Sequence, residues 1–149
     1  MKSGKTKQKA IISACLIGRR CRYDGNHLKS LDLTDVINGY ECIPVCPEVD
    51  GGLGIPRPKS WIKSGTGADV LNGNTIVINE AGVDVTSQFI SGAEITFKQA
   101  FQHNIRKAIL KSKSPSCGVG QVYNGDKLVE GNGVTAELLI RNGFDVIAI

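Results

Sequence analysis

Three apolar, strand-like runs each end in a cysteine: Ala10 to Cys15 (AIISAC), Tyr40 to Cys46 (YECIPVC) and Ala108 to Cys117 (AILKSKSPSC). If these runs are neighbouring parallel strands, their carboxyl ends meet at one sheet edge, where α/β folds bind ligands. Cys15, Cys46 and Cys117 would then face one pocket. Three soft sulfur ligands with an open fourth position describe a metal centre that can still take a substrate. Thiolate softness selects zinc, copper(I) or an iron–sulfur centre. The competing reading is three unrelated core cysteines. Each of the three, however, sits at a strand-to-loop transition beside special backbone chemistry: Cys15 near Gly18, Cys46 before Pro47, Cys117 between Ser116 and Gly118.

The other two cysteines are weaker candidates. On one strand, Cys42 and Cys46 point to the same face but lie about 13 Å apart by the rise per residue, too far to share one ion. Cys42 reads as a small buried hydrophobe. Cys21 follows the turn after Cys15 and reads as a core residue, a resolving thiol or a fourth ligand, with direct ligation the less favoured of these.

The thiols need a scaffold. Residues 10–17 form a continuous apolar run, as expected of a strand buried on both faces. Leu28, Leu31, Leu33 and Val36 give a helical stripe that Gly39 would stop. Residues 41–46 form a second strand, and Pro47 to Gly73 a long loop. Thr75 to Val85 alternates as a hairpin turning at Glu80-Ala81-Gly82. A long helix runs from Thr86 to about Asn104, with Ser87 as a cap and Phe89, Ile90, Ala93, Phe97, Ala100 and Phe101 on its buried face. Lys107 to Lys111 is the third strand. A second hairpin turns at Asn124-Gly125, and a helix at Thr135 to Arg141 leads to a last strand at Phe144 to Ile149. The expected fold is one small Rossmann-like, three-layer α/β domain over residues 1–149, with a mainly parallel sheet, β-hairpin insertions and a basic, flexible tail at residues 1–9.

Composition agrees with a globular domain: 149 residues, 41% hydrophobic and 21% charged, close to the averages for such chains. The net charge of +4 can steer an anionic ligand such as a nucleotide, and makes no case for nucleic-acid binding. No apolar run approaches the roughly 18 residues of a membrane span. The apolar stretch before Cys15 is also shorter than the roughly 7–15 residues of an export signal. Free cysteines in a chain that needs no cross-links point to a reducing cytoplasm.

Three motifs in order carry a resemblance: Ser13-Ala-Cys-Leu-Ile-Gly-x2-Cys-Arg-Tyr-Asp-Gly25, Cys46-Pro-Glu-x2-Gly-Gly-Leu-x2-Pro-Arg57, and Leu110-Lys-x2-Ser-Pro-Ser-Cys-Gly118. Ser91-Gly-Ala93 and Gly131-x-Gly-Val-Thr-Ala136 extend it. Over nearly its whole length the chain resembles domain-of-unknown-function family 523, whose characterised members are thiouracil and thiouridine-monophosphate desulfidases. It is similar to the short, single-domain form.

The resemblance implies a [4Fe-4S] cluster on Cys15, Cys46 and Cys117, with one iron left open for the substrate sulfur, and loss of the cluster in aerobically prepared protein. It assigns assisting roles to Glu48 and Ser114. Glu48 would act as general base towards the attacking water, and Ser114 would donate to the ring or orient that water. Arg22, Tyr23, Asp24 and Arg57 are candidate substrate contacts, because the turns that carry them overhang the strand ends. The expected partner is a small thiolated base or nucleotide. Two further readings stand beside this one: a persulfide carrier using Cys21 or Cys117, and a non-catalytic iron–sulfur, zinc or redox-sensing protein.

Overall fold

The computed structural model describes residues 8–17 and 39–149. The stripe from Leu28 to Val36 lies outside the described residues. The centre is a four-stranded, all-parallel sheet of β1 (Gln8–Ser13), β2 (Tyr40–Val45), β5 (Lys107–Leu110) and β8 (Asp145–Ala148), in the order β2-β1-β5-β8. The register sets Ile11 against Ile43 and Ala108, and Ser13 against Val45. The two central strands are apolar without alternation because both faces of the sheet are buried. Ile11, Ala108 and Leu110 belong to one core cluster, with Ala100 and Leu139. Ala10, Ile12 and Ile109 belong to another. β2 is an edge strand among the described residues, where Pro44 deprives the ladder of nothing it needs.

The first strand differs from expectation at both ends. Gln8 and Lys9, expected in a flexible tail, pair with Tyr40 and Glu41, so the ladder extends beyond the apolar residues. After Ser13 the strand stops and residues Ala14–Ile17 wind into a 3-10 turn. That turn swings Cys15 off the strand axis at its carboxyl end.

The segment expected to be a long loop is built of short elements. It contains helix α1 (Pro47–Asp50), strand β3 (Ser60–Ile62) and helix α2 (Gly67–Leu71). β3 pairs antiparallel with β4 (Val77–Asn79), Trp61 facing Ile78. The expected hairpin over Thr75–Val85 survives beside this pair in shortened form, its arms joined by the Asn79 N–H on the Val83 carbonyl at 3.0 Å and the Val85 N–H on the Val77 carbonyl at 2.9 Å. Asp84 bridges Ile78, and the Asn79 side chain accepts from the N–H groups of Ala81 and Val83, which tightens the turn. The second hairpin, β6 (Gln121–Asn124) with β7 (Lys127–Glu130), forms as expected.

Helix α3 (Thr86–Gln102) is the long helix. Its first turn is capped by Asp84, whose Oδ1 accepts from the Thr86 N–H at 2.9 Å, while Ser87 lies inside the helix with its hydroxyl on Gln88. Phe89, Ala93 and Ala100 are buried as expected. Phe101 is 54% exposed, its ring under the Arg106 guanidinium instead. Helix α4 (Val134–Arg141) precedes β8.

Helices α1 and α3 cross at two glycines. A methyl group on Gly92 would overlap the Pro47 carbonyl, and one on Gly51 would overlap the Gln88 carbonyl. This contact seats the Cys46-Pro-Glu segment. Gly92→Ala is expected to lower stability in urea or thermal unfolding by about 1–3 kcal/mol, the usual cost of overpacking. Unchanged stability would mean that the helices separate freely.

Candidate active site

The carboxyl ends of β1, β2 and β5 deliver the chemistry. Cys15 lies in the turn after β1. Cys46 lies directly after β2, as the residue preceding α1. Cys117 follows β5 in the Ser114–Cys117 turn. All three line one cavity of about 330 Å³, together with Glu48, Arg57 and Ser114. Because β1 lies between β2 and β5, Cys15 is central and the other two flank it.

The turn that carries Cys117 is held from both sides. Inside it, the Ser114 hydroxyl accepts from the N–H groups of Ser116 and Cys117, each at 3.1 Å. From outside, the first N–H groups of α4 close on its carbonyls: Val134 on Pro115 at 2.8 Å, Thr135 and Ala136 on Ser116 at 2.9 and 3.0 Å. Close approach requires glycine here, since a methyl group on Gly133 would press into Pro115 and Ser116. The Gly131-x-Gly-Val-Thr-Ala motif is thus the clamp on the Ser-Pro-Ser-Cys turn.

Glu48, in α1, is gripped at both oxygens. Its Oε1 accepts from Arg57 Nε at 3.2 Å and Nη2 at 3.0 Å. Its Oε2 accepts from the Ser116 hydroxyl at 3.2 Å. Arg57 also donates through Nη1 to the Gly54 carbonyl at 3.1 Å. The structure therefore sets Arg57 at the cavity wall with its guanidinium on Glu48, a partner that the sequence reading did not name. Arg22, Tyr23, Asp24 and Cys21 lie outside the described residues. Among the described residues the aromatic side chain that lines the cavity is Tyr123 of β6. Lys59, Lys111 and Lys113 also line it. Lys113 has a φ of 68°, a left-handed conformation uncommon outside glycine. Sequence signals for these residues were thin: the hairpin was legible, but not which of its side chains faces inward.

Burial pushes the Cys117 thiol up to about 12, hydrogen bonds from Ser13 and Ser116 oppose the rise, and the charges of Glu48 and Cys15 add to it. A thiol this reluctant to ionise is a poor free nucleophile at neutral pH, which argues against Cys117 as a persulfide carrier. In cluster-free protein at pH 8, iodoacetamide should label Cys117 far more slowly than Cys15 or Cys46, which are only partly buried. Peptide mapping over time reads this directly; equal labelling would mean that Cys117 is accessible and ionised.

The donor set fits an iron–sulfur group. Ligands of a single zinc all lie within about 2.3 Å of one point. Among the described residues no three His, Cys, Asp or Glu side chains form such a single-ion group. The three cysteines line one cavity, and cysteine thiolates are the ordinary ligands of iron–sulfur clusters. Cys42 stands apart, its sulfur 3.9 Å from the Tyr40 carbonyl on β2.

Comparison with known proteins gives three findings. The model of a family described as 2-thiouracil desulfurase matches residues 10–149. The uncharacterised protein YbbK of Bacillus subtilis (strain 168) is 41% identical over 141 residues, covering 93% of each chain. The solved structure of the [4Fe-4S]-dependent thiouracil desulfidase TudS (DUF523Vcz) aligns with a TM-score of 0.81 at 38% identity, covering 95% of this chain and 91% of that one.

Proposed function

We propose, from the premise that this chain belongs to the 2-thiouracil desulfurase family, that it is an iron–sulfur-dependent desulfidase exchanging the sulfur of a thiolated pyrimidine for water oxygen. The products are the carbonyl pyrimidine and hydrogen sulfide, and the exchange needs no external electrons. One observation carries the reading: Cys15, Cys46, Cys117, Glu48 and Ser114 converge on a single cavity. Its volume of about 330 Å³ lies at the small end of the range for small-molecule sites, a size suited to one heterocycle beside a cluster.

Cys15, Cys46 and Cys117 would hold a [4Fe-4S] cluster, which when bound supplies an iron without a protein ligand to draw charge from the thiocarbonyl through its sulfur. The remaining work falls to side chains. Glu48, fixed by Arg57, accepts the proton that the attacking water must lose. Ser114, with its oxygen tied to two backbone N–H groups, stands at the same wall to orient that water. Tyr123 offers a flat apolar surface to a pyrimidine ring.

Anaerobic reconstitution with iron and sulfide, followed by incubation with 2-thiouracil, should yield uracil and sulfide in equal amounts. Protein without iron should yield neither. Turnover without iron, or a persulfide left on the protein, would refute the reading. Parallel assays with 4-thiouracil and with thiouridine monophosphates define the preferred substrate within this class.

A further inference from the structure

Ser13, the first residue of the Ser13-Ala-Cys15 motif, has no place in the chemistry assigned so far. It ends β1 and is 3% exposed. The sheet joins β1 directly to β5, pairing Ile11 with Ala108 and Ile12 with Ile109. Beyond that ladder the Ser13 hydroxyl takes over, accepting from the Lys111 N–H at 3.0 Å. A side chain thus ties the end of the strand that leads to Cys15 to the start of the segment that leads to Cys117. Ser13 and Cys117 line the same cavity. A serine hydroxyl has one hydrogen as well as two acceptor positions, and the bond from Lys111 uses only an acceptor position. The hydrogen goes to the sulfur of Cys117. Ser116 competes for that sulfur at 3.7 Å, but its own single hydrogen has a nearer, charged acceptor in Glu48 Oε2 at 3.2 Å. Burial is the largest influence on the Cys117 thiol, and of the two hydroxyls that oppose it Ser13 does so more strongly.

We propose that Ser13 is a positioning residue for the metal centre, its hydroxyl donating to the ligating sulfur of Cys117 while its oxygen pins the end of β5. This rests on the ligand role given to Cys117 above. A thiolate sulfur bonded to iron keeps lone pairs, and with Cys117 only 5% exposed water is a poor source of donors for them. Ser13 supplies one from inside the wall. Hydrogen bonds to the sulfurs are among the levers that set the potential of an iron–sulfur centre. A sulfur that receives one carries negative charge at lower cost, so the centre accepts an electron more readily. By the same withdrawal the sulfur gives less charge to iron, which strengthens the pull on a thiocarbonyl sulfur at the iron without a protein ligand. Partners that orient a metal ligand from behind are typically worth about 10–100-fold in metal affinity.

The test reads the centre itself and not turnover. Ser13→Ala, Ser13→Thr, Ser116→Ala and Cys117→Ala proteins are reconstituted anaerobically beside the parent. Each is measured for iron content, for midpoint potential by mediated redox titration, and for the rate of iron transfer to excess chelator. Ser13→Ala should have a potential more negative than the parent and release iron about 10-fold faster, the lower end of such effects. Ser13→Thr, which keeps a hydroxyl, should return both towards the parent. Ser116→Ala should move the potential less than Ser13→Ala, since its hydrogen serves Glu48. An unmoved potential in Ser13→Ala, no recovery in Ser13→Thr, or a larger shift in Ser116→Ala would overturn the proposal. A merely structural Ser13 would lower the unfolding midpoint of the cluster-free protein and leave the potential where it was. If Ser13→Ala takes up no iron, crystals of the reconstituted parent decide, by whether Ser13 Oγ lies within hydrogen-bond reach of the Cys117 sulfur. Failure of the underlying reading looks different: Cys117→Ala would then keep the iron and the potential of the parent, whatever Ser13→Ala does.

Discussion

Cys117→Ala protein, reconstituted anaerobically with iron and sulfide, is expected to retain little iron and to lose desulfidase turnover altogether. A cluster held by three protein thiolates has no spare protein ligand, and removing one leaves an anchor on two. The loss should come from ligation and not from the fold. The turn that carries Cys117 is held by the Ser114 hydroxyl and by the first N–H groups of α4, none of which involves the thiol. Cys117→Ala should therefore unfold cooperatively, near the transition of the cluster-free parent. Cys15→Ala and Cys46→Ala should behave alike, because both thiols line the same cavity. Cys42→Ala is the control: its sulfur lies on β2 against the Tyr40 carbonyl, and its iron content should match the parent. Normal iron in Cys117→Ala would mean that another sulfur completes the site.

Glu48→Gln separates proton chemistry from cluster binding. The amide matches the carboxylate in shape, so its oxygen can still accept from Arg57 and the helix α1 stays seated on Gly92. What disappears is the ability to take a proton. The expected result is a fall in kcat of about 10²–10⁴-fold, the range for a lost general base, with cluster absorbance and KM close to the parent. A bleached cluster would assign Glu48 to holding the metal centre, and full turnover would place the base elsewhere.

Much of this was legible in the chain because buried parallel strands announce themselves as unbroken apolar runs. AIIS, ECIPV and KAIL fixed three strands and, with them, the edge where Cys15, Cys46 and Cys117 emerge. The short elements after Cys46 were opaque, since neither an unbroken apolar run nor a full period marks them. β3, α1 and α2 were hidden in this way inside an expected loop, so the pairing of β3 with β4 was not foreseen. Ser87 read as a cap because serine favours caps, yet Asp84 reaches the Thr86 N–H first. The site shows the same division. Strand ends place the thiols, whereas the pairing of Arg57 with Glu48 depends on the course of the loop between them, which no periodicity reveals. Ser116 stood in plain view inside Ser-Pro-Ser-Cys. Only the structure shows its hydroxyl within reach of both Ser114 and Glu48.

The most direct measurement is anomalous diffraction at the iron edge from crystals of the anaerobically reconstituted protein. The account predicts a compact four-iron peak in the cavity, with three irons bonded to the sulfurs of Cys15, Cys46 and Cys117 and the fourth free of any protein ligand. A peak elsewhere, or a fourth iron closed off by Cys21 or another side chain, would contradict it.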